Sequence, residues 1–376
     1  MISGIPALTG LRGIAALWVF VFHVSGKLLR LGPEAHAVGS LFGAGGFLGV
    51  DLFFVLSGFV LALNYSSVGI HRSASSYAGF LWKRIARIYP VHQTALALAV
   101  ILVVAFAAFD SVFVPASRLA LTGLLKSLTL TQAWSIPVER TWNAVSWSIS
   151  CEWAAYLAFP WIVWAANRLR SGLGIFAIVI ALFAALAYAV LSGPYATTME
   201  YALQRIAVEF TAGVLLYRAR ELRNFPMGPR GDWIAMASLA ILIVGGNLLA
   251  TRASSCLALV YMPIFACGVV YGLASGTGLF CRALSCRAAL AAGLISYAFY
   301  MVHSLILGAA GRVLVLIGKA ADPPMFVTAM VMAALVSTAL AAAIYAWIET
   351  PARRIMVRWS GDVAGTSSRE LPSRGH

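Results

Sequence analysis

Charge is scarce in this chain, and negative charge is scarcest: 13 Asp and Glu stand against 27 Lys and Arg in 376 residues, and charged residues make up only 11%. A soluble domain carries about a quarter, so this composition excludes an ordinary water-facing surface. The shortage of acids also makes each carboxylate inside an apolar run informative. Cysteine is limited to Cys151, Cys256, Cys267, Cys281 and Cys286. Three lie in apolar runs and two share a short loop without metal-ligand neighbours, so neither a disulfide framework nor a zinc site is indicated. No metal is expected elsewhere, because no recognisable ligand spacing joins His23 to His303. The net charge of +14 would suggest nucleic acid in a soluble protein. Here the basic residues are those that membrane proteins collect in cytoplasmic loops, and no nucleic-acid partner is expected.

Apolar sequence is what the chain has in abundance, at 61%. It recurs in runs long enough to span a bilayer, and in lipid such runs must be helices that satisfy their own backbone. Ten are legible, at roughly 8–26, 47–66, 88–109, 144–166, 173–192, 201–217, 233–251, 256–275, 289–309 and 325–348. The expected fold is an all-α integral membrane protein of about ten transmembrane helices around a polar central cavity. The first run holds Arg12 and His23 and lacks a small-residue cleavage site, so it reads as the first helix and not as a leader. A weaker stretch, 112–134, is broken by Pro115, Arg118 and Lys126 and reads as interfacial or re-entrant. Ten spans put both termini on one side. Alternate loops hold most of the basic residues, including Arg72, Lys83, Arg84 and Arg87 and, at the far end, Arg353, Arg354, Arg358, Arg369 and Arg374. That asymmetry places both termini in the cytoplasm and the protein in the cytoplasmic (inner) membrane. Residues 1–358 read as one transmembrane domain and 359–376 as a disordered tail.

Ionisable residues inside such runs are costly and mark function by default. Arg12 and His23 are 11 positions apart, about 20° past three helical turns, so they share one face about 16 Å apart along the axis. Asp51 opens the second run, Glu152 follows Trp147 and Ser148 in the fourth, Arg205 and Glu209 are four apart in the sixth, and Tyr300 and His303 are three apart in the ninth. Arg205 and Glu209 read as an internal ion pair. Several such groups at similar depth imply a polar cavity. Arg84 and Arg87, three apart on one face, are suited to an anion such as phosphate. Glu349-Thr350-Pro351 reads as a helix stop, with Glu349 pairing with cytoplasmic arginines.

Arg12-x10-His23, "GVDLFFVLSGF", "KRIARIYP", "WSISCEW", "RIAVEFTAG", "SYAFYMVH" and "ETPARR" together resemble the acyltransferase-3 family of integral membrane O-acyltransferases, over residues 5–354. Met301 and Ile149 are minor departures from the family pattern. The resemblance implies transfer of an acyl group, most simply acetyl from acetyl-CoA, to a hydroxyl of an envelope glycan; members also modify small molecules such as macrolides. Many relatives carry an added esterase-like domain that is not legible here. On this reading His23 is the general base that activates the hydroxyl, with Glu152 orienting it and Asp51 as the alternative partner. His303 is either a second candidate base or an acceptor ligand. Ser57 and Ser148 are candidate acyl carriers and, with Trp147, Arg205 and Tyr300, line the cavity. Arg84 and Arg87, assisted by Arg12, are expected to bind acyl-CoA. The rival class is a secondary transporter of glycan material, disfavoured because no repeat halves are evident. Oligomeric state and acceptor identity are not legible.

Overall fold

A computed structural model describes residues 4–70, 73–109, 112–113, 119–135, 138, 141–194, 199–223, 227–252 and 254–366. Among the described residues the fold is helical, with a single isolated bridge between Gly228 and Gly276. In chain order the helices are α1 (Pro6–Ser25), α2 (Pro33–Gly43), α3 (Leu48–Tyr65), α4 (Ala74–Ala107), α5 (Leu121–Thr129), α6 (Trp147–Asn167), α7 (Gly172–Ser192), α8 (Ala202–Arg223), α9 (Pro229–Arg252), α10 (Ser255–Tyr261), α11 (Pro263–Ser275), α12 (Leu279–Leu284), α13 (Arg287–Leu316), α14 (Pro323–Ile344) and α15 (Thr350–Thr366).

Seven stretches are long and apolar enough to cross a membrane, or eight if α10 and α11, bent by 42° where they meet, form one broken span. All ten apolar runs fall on helices, but α6 and α8 are not among the seven. Their polar residues explain this: Ser148, Ser150 and Glu152 on α6, and Arg205, Glu209 and a terminal cluster of arginines on α8. These two helices carry much of the site chemistry on their buried faces.

The third run differs most from its expected bounds. α4 begins at Ala74, where the Ser73 hydroxyl accepts from the Ser76 N–H, and continues through Pro90. Lys83, Arg84 and Arg87 therefore stand on a helix and not in a loop, with fixed directions. Among its described residues, the weak stretch 112–134 contains the nine-residue α5, about 14 Å long and far short of a bilayer. It is tied to α4 by the Tyr89 hydroxyl donating to Leu128 O (3.0 Å) and by His92 Nε2 at 2.8 Å from Ser127 O. At the other end, the expected stop at Glu349-Thr350-Pro351 is passed by a π-helical turn, Tyr345–Glu349, which leads into α15. Pro351 lies in the first turn of α15, where a missing N–H costs nothing. Helix also extends to Thr366, eight residues into the sequence expected to be irregular, because no proline interrupts it. Residues 367–376, and with them Arg369 and Arg374, lie outside the described residues, as do Arg72, Pro115, Arg118 and Arg140.

The bundle core is dominated by two close helix pairs. α3 and α8 approach so nearly that a Cβ at Gly58 would meet the carbonyl of Phe210, and one at Gly213 the carbonyl of Val55. Small residues permit such contact in membranes, where van der Waals packing holds helices together. In the pair of α1 and α13, Gly293 stands against the carbonyl of Thr9. Gly213→Ala should therefore destabilise the purified protein by about 1–3 kcal/mol in thermal unfolding. Gly79→Ala, where a Cβ meets nothing within 4 Å, should leave the midpoint unchanged or raise it.

Candidate active site

A cavity of about 890 Å³ opens among α1, α3, α4, α6, α13, the π turn and α15. α3 supplies one wall from Val50 to Tyr65, a run of about 22 Å. Around the Tyr65 end stand Arg12, Lys83, Arg84 and Arg87, with Arg353, Arg354 and Arg358 of α15. Towards the other end are Phe53, Phe54, Ser148 and Tyr300, and between them Ser57, Glu152 and Tyr156. Glu152 is the single carboxylate lining this space among the described residues.

The two arginines of the "KRIARIYP" stretch are not equivalent. Arg87 forms an ion pair with Glu349, which the π turn delivers almost fully buried, and lies 5.6 Å over the Tyr297 ring. The expected role of Glu349 as an arginine partner is what the structure has. Arg84 meets no carboxylate. It donates from Nη2 to the Tyr65 hydroxyl (3.0 Å), sits among the rings of Tyr65, Phe80 and Tyr156, and its buried Nε has no hydrogen-bond partner. Arg84 thus stands half-buried in the cavity wall with its Nε donor unmet.

Glu152 accepts from the Ser57 hydroxyl and from the Tyr156 hydroxyl, each at 2.5 Å. Tyr156 is one turn along the same helix, so an i,i+4 reading of "EWAAY" would have found it. Deeper in the cavity, the Ser148 and Tyr300 hydroxyls are 2.8 Å apart, and Tyr300 also donates to Val145 O at 3.0 Å.

His23 and His303 do not line this cavity. They form their own pair, with His303 Nε2 at 3.3 Å from His23 Nδ1 and ring centroids 4.9 Å apart. Each ring has a backbone anchor: His23 Nδ1 is 2.9 Å from Val19 O, and His303 Nδ1 is 2.7 Å from Tyr300 O. Carbonyls only accept, so both Nδ1 atoms carry the proton. The His23 Nδ1–H is then shared between Val19 O and the more distant lone pair of His303 Nε2, and His23 Nε2 is left as a proton acceptor. Tyr300 joins the two regions, because it lines the cavity and its ring lies 5.7 Å from that of His303. On its other side His23 lines a second pocket of about 650 Å³, with His36 and Ser40 of α2 and Arg252 and Ser255 at the α9–α10 junction.

These positions correct two expectations. Glu152 does not orient His23; it is held by Ser57 and Tyr156, and the imidazole partner is His303. Asp51 is not available either, because it receives Arg205 Nε and Nη2 at 3.0 and 2.8 Å, with both side chains buried. The Arg205 guanidinium lies 5.2 Å from the Trp147 ring. Its bidentate partner is thus on α3 and not Glu209 four residues along, although Glu209 is buried beside it. Sequence spacing could not have shown a contact between residues 154 positions apart.

A helical multi-pass membrane protein with its ionisable groups gathered inside the bundle is the class that this architecture defines. A family model described as an acyltransferase domain matches residues 5–345, and the chain belongs to that family, acyltransferase-3. It is 34% identical over 163 residues to acyltransferase MdmB of Streptomyces mycarofaciens, a match covering 42% of this chain and 38% of that one. It is also 38% identical over 91 residues to protein 2 in the picA locus of Rhizobium radiobacter (24% and 41%) and 36% identical over 90 residues to a putative O-acetyltransferase of Staphylococcus aureus strain COL (23% and 12%). The matched segments thus span less than half of each of these relatives. No solved structure matches.

Removing one member of a buried ion pair strands the other. Arg205→Met should cost about 3–5 kcal/mol, and Arg205→Met with Asp51→Leu should recover more than half of that in thermal unfolding. An Arg205→Met protein as stable as wild type but inactive would instead assign the pair to chemistry.

Proposed function

We propose that the protein is an acyl-CoA-dependent O-acyltransferase that transfers an acyl group, acetyl in the simplest case, to a hydroxyl of a glycan. The observation that carries the reading is the cavity itself, cation-lined at one end and lined at the other by Ser148 and Tyr300, whose ring lies 5.7 Å from that of His303 in the histidine pair. The donor enters from the cytoplasmic face with its phosphates at Arg84, Arg87 and Arg12, and its pantetheine arm follows the α3 wall inward. The acceptor approaches His23 through the second pocket from the opposite face. His23 Nε2 takes the hydroxyl proton as the oxygen attacks the thioester carbonyl. The C–S bond breaks, and the CoA thiolate leaves with the proton that His23 gives back. His303 accepts from His23 Nδ1–H and supports the imidazolium, the role that the sequence pattern assigned to Glu152.

This places Glu152 on the donor side, where with Arg12 and Tyr156 it shapes the region traversed by the thioester arm. The short Ser57–Glu152 bond favours one second reading, a transient acyl-Ser57 with Glu152 as its base. A small-molecule acceptor fits the same chemistry, and the relative named as an acyltransferase from Streptomyces is compatible with either. The transporter reading has no support from the family match.

Thiol release from acetyl-CoA by purified protein, with envelope glycan added, tests the proposal. His23→Ala should lower kcat by about 10²–10⁴-fold while leaving CoA affinity within twofold. His303→Ala should lower kcat less, since it removes support and not the base. Ser57→Ala should reduce turnover modestly; complete loss, with acyl-protein trapped in wild type, would establish the acyl-Ser57 route. Release independent of both histidines would contradict the proposed base.

A further inference from the structure

The donor cavity contains more positive charge than the expected phosphate ligands account for. Arg12, Lys83, Arg84 and Arg87 are joined there by Arg353, Arg354 and Arg358. The carboxylates set against these seven are Glu152 in the wall and Glu349 on Arg87. Arg353, Arg354 and Arg358 look in sequence like ordinary positive-inside residues following the last span. Their geometry is more specific. With Val357, they occupy an arc of about 140° on α15, and that arc faces the cavity. α15 is fixed in this pose by the Trp82 indole N–H donating to Met356 O (2.6 Å) and by the Arg87–Glu349 pair at the π turn before it. π turns inserted in helices are frequent at functional sites. Here the turn aims one helix end over the cavity mouth.

Coenzyme A has a fixed order of groups: thioester, pantetheine, pyrophosphate, then the ribose with its 3′-phosphate. If the thioester reaches Tyr300, the pyrophosphate falls nearer the inner cations and the 3′-phosphate nearest the mouth. The three α15 arginines are solvent-exposed there, whereas Arg84 is enclosed by three rings. A phosphomonoester carries about −1.5 to −2 charges at neutral pH and three acceptor oxygens, which suits a cluster of guanidinium forks. We propose that Arg353, Arg354 and Arg358 form the binding site for the 3′-phosphate of the acyl-CoA donor. The inference rests on the donor reading given above.

Lipid headgroup phosphates offer the same chemistry, so the experiment must separate the sources. The full chain is reconstituted in nanodiscs of phosphatidylcholine alone, and binding of CoA and 3′-dephospho-CoA is measured by calorimetry. Wild type should prefer CoA by about tenfold or more. Arg353→Ala/Arg354→Ala/Arg358→Ala should lose that preference and bind both with the affinity of wild type for 3′-dephospho-CoA, a result that also reports an intact cavity. A glutamine triple variant, which keeps length and helix propensity, repeats the comparison if the alanine variant does not fold. A preserved preference would overturn the proposal and leave the arginines to lipid headgroups. Equal weakening of both ligands would overturn it in favour of a diffuse field. Binding of neither ligand by wild type would instead remove the donor reading, and this inference with it.

Discussion

The buried pair of Arg205 and Asp51 is the constraint on which the rest of the site depends. It joins α8 to α3 by two parallel hydrogen bonds in a region where an unpaired charge would be prohibitive. The same helices touch backbone to backbone at Gly58 and Gly213. With α3 fixed in rotation and height, its Val50–Tyr65 face becomes one wall of the cavity. Ser57 then meets Glu152, and Tyr65 meets Arg84. Trp147, against the Arg205 guanidinium, fixes the start of α6, from which Ser148 and Glu152 project.

A second constraint acts at the far side of the bundle. α1 and α13 pack through Gly293 and Thr9, and that contact sets His23 opposite His303 although 280 residues separate them. Both imidazoles are anchored to carbonyls of their own helices, which fixes which nitrogen carries the proton. On the proposed reading, the base therefore needs no carboxylate neighbour. The partner of His23 is a second imidazole, and Tyr300, three residues earlier on α13, links the pair to the cavity. On the proposed reading, the donor and acceptor sides of the reaction converge on adjacent turns of this one helix.

Much of this was legible in the sequence, and the parts that were not share a cause. Apolar runs located every long helix except α15, and the cost of charge in lipid singled out His23, Glu152, Arg205 and His303 as residues of one interior. Pairing among them was not legible, because it depends on helix rotation and neighbour choice. Asp51 chose Arg205, and Glu152 chose Ser57 and Tyr156. Boundaries failed where a local signal was overridden: the run read as starting at 88 begins at Ala74, and Pro351 did not end the last helix. That second override matters most, since continuing the helix turned three apparent orientation markers into cavity lining.

The most direct measurement is a structure of the protein with coenzyme A bound. The account expects the nucleotide between α4 and α15, with phosphates against Arg84 and the α15 arginines, and the sulfur inside the cavity near Tyr300. Coenzyme A in the second pocket beside His36 and Arg252, or with its sulfur directed away from Tyr300 and the histidine pair, would contradict it.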